Sequence, residues 1–380
     1  MSEPLYLDYN ATTPVDPQVA NAIEPYLREH FGNPSSGHAL GQRARRAVEL
    51  ARNRVAALIG ARPGEILFTG CATEANNLAI LGAARALRGR RRHLITSAVE
   101  HPAVARPMGH LREEGWRVTV LPVDAAGRVA PRDLAAALRD DTLLVSVMHA
   151  NNEVGTLQPI AELAALARRR GVLFHTDAAQ SAGKVPVDVR ELGVDLLTLA
   201  GHKFYAPKGV GALYVRDGTP LAPLTYGAGH ERGLRPGTEN VPYVAGLGAA
   251  AELAQWRLPA ITEHLRGQCA ELHRRLAAAA PGLALNGHPE ERLPNTLNVS
   301  FPGVSARELL ARTPSVAASL GSACQEGAAG VSGVLGAMGV GPARALGAVR
   351  LSVGRPTTGD EIRQAADALI TAWRALKTGE

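Results

Sequence analysis

Short apolar runs alternate with segments of helical period along the first two thirds of the chain. The runs fall at 66–69, 93–97, 118–121, 143–148, 172–175, 196–199 and 212–215, each the length of a buried strand. Between them, Ala47, Val48, Ala51, Val55, Leu58 and Ile59 share one helical face ahead of Gly60, and 160–170 is the clearest helix. This alternation predicts an α/β fold, with a mostly parallel sheet sandwiched by helices. Near residue 250 the character changes. An Ala- and Leu-rich helical stretch over 246–280 leads away from the sheet, and 298–301 and 348–353 read as strands. Residues 360–376 form a last amphipathic pattern through Ile362, Ala366, Leu369, Ile370 and Trp373. The expected division is a large α/β domain over 16–250 and a smaller α+β domain over 251–380. The extended N-terminal arm, 1–15, joins the smaller one.

A chain of 380 residues suits such a pair of domains. Apolar content of 46% with 20% charged residues is ordinary for a soluble protein. No apolar run approaches the ~20 residues of a membrane span, and the N-terminus lacks a secretory pattern. The expectation is a cytoplasmic protein. A formal charge of +6 is modest and scattered; the run Arg168 to Arg170 reads as a helix end before Gly171. Direct nucleic-acid binding is not expected. Cys71, Cys269 and Cys324 make an odd count without metal-ligand spacing, so neither a disulfide framework nor a metal site is expected.

The chemistry gathers at run ends. Gly201-His202-Lys203 follows the run 196–199, where ligands collect in open α/β sheets. A partly dry lysine beside a cationic neighbour could form a Schiff base, although alone it would read as a surface residue before a Pro-Gly turn. Asp177 ends another run, with Gln180 three residues on, and Thr73 stands where a helix start could hold a phosphate. Lysine, acid and phosphate cradle together point to pyridoxal phosphate, whose ring nitrogen needs an acid beneath it. His101, before Pro102, could cover the ring and move protons. Asn152 could bond the ring hydroxyl or a substrate carboxylate, or belong to an Asn-rich turn. The polar, Gly-rich segment 229–240, with Arg232, Arg235 and Thr238, is either a disordered loop or a ligand or subunit contact. Cys324, among small residues, suits an accessible nucleophilic thiol. Arg350 could clamp a carboxylate bidentately.

These motifs run through nearly the whole chain and resemble those of the cysteine desulfurases, a class V aminotransferase group among the fold-type I pyridoxal-phosphate enzymes. The resemblance is carried by Leu-Asp-Tyr-Asn-Ala-Thr-Thr-Pro (7–14), Asn-Pro-Ser-Ser (33–36), Ala-Thr-Glu (72–74), Glu-His-Pro (100–102) and Asn-Asn-Glu-Val-Gly (151–155). It continues through His-Thr-Asp-Ala-Ala-Gln (175–180), Gly-His-Lys (201–203), Glu-Arg-Gly-Leu-Arg (231–235) and Gly-Ser-Ala-Cys (321–324). It implies that Lys203 carries the cofactor, Asp177 pairs with the ring nitrogen, Gln180 and Asn152 touch the ring hydroxyl and His101 stacks on the ring. Thr73 and His202 would bind the phosphate, with Thr238 arriving from the partner of a homodimer. Arg350 would hold the carboxylate of L-cysteine, and Cys324 would take its sulfur as a persulfide. Two departures stand out. Ala200 replaces the serine that many relatives place before Gly-His-Lys, and Gln-Glu-Gly-Ala-Ala-Gly follows Cys324 where they often carry small hydroxyl residues.

The implied activity converts L-cysteine to L-alanine and passes sulfur to an acceptor protein. Iron–sulfur cluster assembly, tRNA thiolation, thio-cofactor synthesis and DNA phosphorothioation are the destinations that the resemblance offers. Selenocysteine lyase or another class V aminotransferase is the alternative enzyme reading. A sulfur-carrier protein with a decayed cofactor site is the alternative outside catalysis, and intact Lys203, Asp177 and His101 count against it.

Overall fold

A computed structural model describes residues 3–89, 91–320 and 332–378. Seven strands form one sheet in the order Ile66–Thr69, Gly211–Val215, Leu196–Ala200, Leu173–Asp177, Thr142–Ser146, His93–Ser97, Arg117–Leu121. From Leu196–Ala200 to Arg117–Leu121 every neighbour is parallel. Gly211–Val215 runs antiparallel to both of its neighbours. The mostly parallel sheet read from the sequence is present, and each of the seven apolar runs is one of its strands.

The runs are mostly apolar because helices cover both faces of the sheet. Successive strand side chains point to opposite sides. Ile95, Val145, Phe174 and Leu197 pack with helices Ala39–Leu58, Ile160–Arg169 and the start of the long helix Val241–Ala279. Their neighbours Leu94, Leu144 and Leu196 pack instead with helices Ala72–Ala86 and Pro102–Glu113. Arg117–Leu121, at one edge of the sheet, departs from the pattern, with only Leu121 buried.

The helix expected over 246–280 spans Val241–Ala279, roughly 58 Å at 1.5 Å per residue. Val244, Leu247 and Ala251 lie in the core beside the large sheet, whereas Ile261, Leu265, Leu272 and Leu276 lie in a separate cluster. That cluster covers a three-stranded antiparallel sheet ordered Ala348–Ser352, Thr296–Ser300, Ala284–Asn286. Helices Ala306–Ala311 and Gly359–Thr378 complete it. The N-terminal arm reaches the same region. Leu5–Tyr6 pairs in parallel with Val316–Ala317, and Leu7 is buried in the second cluster. No helix among the described residues is long and apolar enough to cross a membrane.

Candidate active site

The C-terminal ends of the parallel strands face one cavity of ≈ 380 Å³, the place where open α/β sheets bind ligands. Lys203, Asp177, Gln180 and His101 line it, as do Thr73, His202, Asn152 and Arg350. Residues as far apart in the chain as Asn10 and Arg350 are thus brought around one cavity.

Asp177 is the last residue of its strand and is buried. Its Oδ2 accepts from Asn76 Nδ2 at 2.7 Å and its Oδ1 from Ala179 N at 2.9 Å. The carboxylate is therefore fixed in position by two donors that do not neutralise it. Lys203 closes a single 3-10 turn, Gly201–Lys203, directly after strand Leu196–Ala200. Its Nζ donates to the carbonyls of Asn10 at 2.6 Å and Ala11 at 2.8 Å, so the N-terminal arm holds the amine.

Strand Ile66–Thr69 leads through Gly70 to helix Ala72–Ala86, capped by Cys71, whose Sγ accepts from Glu74 N at 3.5 Å. Thr73 lies in the first turn, where backbone N–H groups and the helix dipole favour an anion. This turn presses on the neighbouring strand: a Cβ at Gly211 would meet Cys71 C at 2.9 Å and Ala72 N at 3.1 Å. Only glycine permits that approach. His202 Nδ1 lies 3.1 Å from Thr12 Oγ1, and burial, then Lys203, Lys208 and Lys184, depress its pKa to about 4. Ala200 lines the same cavity and offers no side-chain donor.

His101 caps helix Pro102–Glu113, its Nδ1 accepting from Ala103 N at 3.1 Å. In the neutral ring this leaves the proton on Nε2. Burial depresses its pKa, Asp177 opposes that and Lys203 reinforces it. Arg350 is almost fully buried; it donates from Nη1 to Asn152 O at 3.0 Å and from Nη2 to Asp8 Oδ1 at 2.7 Å. Asn152 takes part through its carbonyl, which also accepts from Asn10 Nδ2 at 3.2 Å.

One expected residue is not brought to this cavity, and another falls outside the described residues. Thr238 is exposed and does not line it. Cys324 lies outside the described residues; Gly333 and Val334, nine and ten positions further on, do line the cavity. The segment 229–240, read as a disordered loop or a ligand or subunit contact, buries Glu231 against Arg52, Oε1 to Nη2 at 2.7 Å.

Four residues of the site carry no earlier assignment. Asn76 lies one helical turn after Thr73 and bonds Asp177. Asn10 sits within the arm motif and receives Lys203. Glu100, beside His101, has its pKa pushed up to about 8, chiefly by burial. Its Oε1 accepts from Ser97 Oγ at 2.5 Å and Met148 N at 3.0 Å, and no hydrogen bond to its buried Oε2 is found among the described residues. Burial also raises the pKa of Glu153, with Ser332 Oγ donating to it and Arg350 opposing the rise.

The aminotransferase class-V family matches residues 5–364 of this chain. The chain belongs to that family. Its relatives within that family include cysteine desulfurases. The cysteine desulfurase IscS of Dictyoglomus turgidum is 45% identical over 380 residues, covering 100% of this chain and 96% of the relative. The human cysteine desulfurase is 44% identical over 377 residues, covering 98% of this chain and 82% of its own length. Among solved structures, a NifS-like protein superposes with a TM-score of 0.92 at 37% identity, over 99% of this chain and 100% of that one. The class-V fold and the large, mostly parallel sheet are thus common to the chain and its relatives.

Dependence on pyridoxal phosphate is a general property of this family. The residues of the cavity suit that group. A buried carboxylate stands at a strand end, a lysine amine reaches the same space, and a helix N-terminus with a hydroxyl opens on it.

Proposed function

We propose that this protein is a cysteine desulfurase that takes sulfur from L-cysteine, releases L-alanine and hands the sulfur to an acceptor protein through Cys324. The observation that carries the reading is the convergence of Lys203, Asp177, His101 and Arg350 on one cavity. The family membership and the desulfurase relatives support it.

Lys203 would hold pyridoxal phosphate, with Asp177 at its ring nitrogen, Gln180 at its ring oxygen, and Thr73, His202 and the N–H groups of helix Ala72–Ala86 at its phosphate. Ala200 offers no donor there, so the phosphate would have one fewer side-chain bond than in serine-bearing relatives. Bound there, the group supplies an electron sink for the substrate α-carbon. The chain's own groups do the rest. Arg350 pairs with the substrate carboxylate and orients the α-carbon. Lys203 Nζ takes and returns the α-proton, and His101 can hold a second proton at Nε2. The Cys324 thiolate attacks the substrate sulfur; the Cβ–S bond breaks, its electron pair stays on carbon, and that carbon takes a proton. Cys324 is left as a persulfide for transfer. Thr238, exposed on this protomer, would complete the phosphate site of a second copy in a homodimer.

The test is an assay of L-alanine and sulfur release from L-cysteine. Equal release by the wild type, with sulfur release abolished in Cys324→Ala, is the expected result. Alanine and sulfur release that survive Cys324→Ala unchanged would sink the reading. An assay with L-selenocysteine in the same variants tests the lyase alternative.

A further inference from the structure

Lys184 is a lysine of the protein interior, 5% exposed. It does not line the cavity. Its Nζ donates to Gln180 Oε1 at 3.0 Å and to Asn10 Oδ1 at 3.2 Å. Among the described residues no carboxylate pairs with it. Burial, then Lys203 and Arg350, push its pKa well below the ordinary 10.5. Two N–H groups of the amine thus meet two acceptors. A methionine could fill such a space without burying an amine, so the amine has a use beyond packing.

That use is legible in Gln180. A side-chain amide fits its space either way round, and its neighbours decide the orientation. Gln180 Nε2 donates to Asn10 O at 3.0 Å while Oε1 accepts from Lys184. Turned round, Nε2 would face the N–H of Lys184 and Oε1 would face the Asn10 carbonyl. Two repulsions would replace two hydrogen bonds. Asn10 is itself fixed: Oδ1 also accepts from Asn295 Nδ2 at 2.9 Å, and Nδ2 donates to Thr296 Oγ1 at 2.8 Å. With one Nε2 hydrogen on Asn10, the second is the donor left for the cavity that Gln180 lines.

We propose that Lys184 is a positioning residue that locks the Gln180 amide, so that Gln180 offers an N–H, never a carbonyl, to the group bound in the cavity. The partner of Gln180 must then be an acceptor, which the ring oxygen of pyridoxal phosphate is in its deprotonated form. The proposal rests on the reading of this cavity as the pyridoxal-phosphate site.

The experiment compares the full-length wild type with Lys184→Met, Gln180→Ala and the double variant. It reads pyridoxal-phosphate affinity by dialysis, the visible absorption maximum of the bound cofactor, and thermal unfolding. Losing one positioned hydrogen bond predicts binding weaker by about five- to tenfold in Lys184→Met, with an absorption shift of the same sign as in Gln180→Ala. The double variant should match Gln180→Ala alone, since Lys184 acts through Gln180. Additive effects, or a Lys184→Met protein with wild-type affinity and spectrum, would overturn the proposal. Should Lys184→Met fail to fold, Gln180→Glu keeps an acceptor for Lys184 but removes the N–H from the cavity. It should bind pyridoxal phosphate at least about tenfold more weakly, and wild-type binding by it would overturn the proposal equally. A wild type that binds no pyridoxal phosphate would overturn the cavity reading itself, a result distinct from failure of the Lys184 step alone.

Discussion

The guanidinium of Arg350 is held by the carboxylate of Asp8, Nη2 to Oδ1 at 2.7 Å, although 342 residues separate them. The pair ties the N-terminal arm to the middle of strand Ala348–Ser352. A substrate carboxylate that reaches Arg350 must therefore share it with an anion already present.

Arg350→Lys should raise the KM for L-cysteine by roughly 10- to 100-fold, because a point charge replaces a planar fork that bonds two oxygens in parallel. Asp8→Asn, which removes the competing anion and keeps an acceptor, should lower KM. Steady-state kinetics on both variants decide the matter: an unchanged KM in Arg350→Lys would remove Arg350 from substrate binding.

Glu100 should make the protein less stable as pH rises. Its folded pKa is pushed up to about 8 from the ordinary 4.5. Between those values the unfolded chain has released the proton and the folded chain still holds it, so stability falls with rising pH and levels off above 8. Glu100→Gln keeps an acceptor for Ser97 and Met148 and removes the titration. Denaturant unfolding should show it roughly 3–5 kcal/mol more favourable, relative to wild type, at pH 8 than at pH 4.5. An equal difference at both pH values would show that the carboxyl ionises freely in the folded state.

His175 and His149 act in the opposite sense. Burial depresses their pKa values to about 3 and about 4. His175 spans two neighbouring strands, Nδ1 to Ser146 Oγ at 2.8 Å and Nε2 to Thr198 Oγ1 at 3.1 Å, and stays neutral there. Below 6.5 the unfolded chain takes up protons that the folded chain refuses, so stability is lost as pH falls from 6.5 towards 4 and below. His175→Gln should flatten that loss when unfolding is followed from pH 7 to pH 5, at some expense in stability at pH 7. A steeper loss in the variant would contradict the assignment.

Much of this was legible in the sequence because the large sheet is covered on both faces, which makes most of its strands plain apolar runs. The same run ends announced Asp177, Lys203 and His101, since ligands gather where parallel strands stop. Ala284–Asn286 was not foreseen: three residues at a sheet edge carry too little pattern. Asn10, Lys184 and Asn76 escaped for another reason. Each acts on a partner at least 100 positions away or through another side chain, and no local spacing encodes that. The burial of Glu231 was not foreseen because its neighbours are polar and Gly-rich, while its burial depends on Arg52 from a distant helix.

That pair yields the last expectation. Arg52 donates from Nη2 to Glu231 Oε1 at 2.7 Å and from Nη1 to Ile66 O at 2.9 Å, and Glu231 Oε2 accepts from Phe68 N at 2.9 Å. Both side chains thus grip strand Ile66–Thr69, whose end feeds the helix start that carries Thr73. Arg52→Met strands the buried Glu231 carboxylate and should cost about 3–5 kcal/mol, whereas Glu231→Met should cost less, since Arg52 keeps Glu49 at 3.2 Å. The double variant removes both charges together and should cost less than Arg52→Met alone. Thermal unfolding of the three variants supplies the answer, and a double variant as unstable as the sum of the singles would mean that the two groups do not depend on each other. Because the strand leads into the proposed phosphate-binding turn, Arg52→Met should also bind pyridoxal phosphate less tightly, with affinity recovering in the double variant as its stability does.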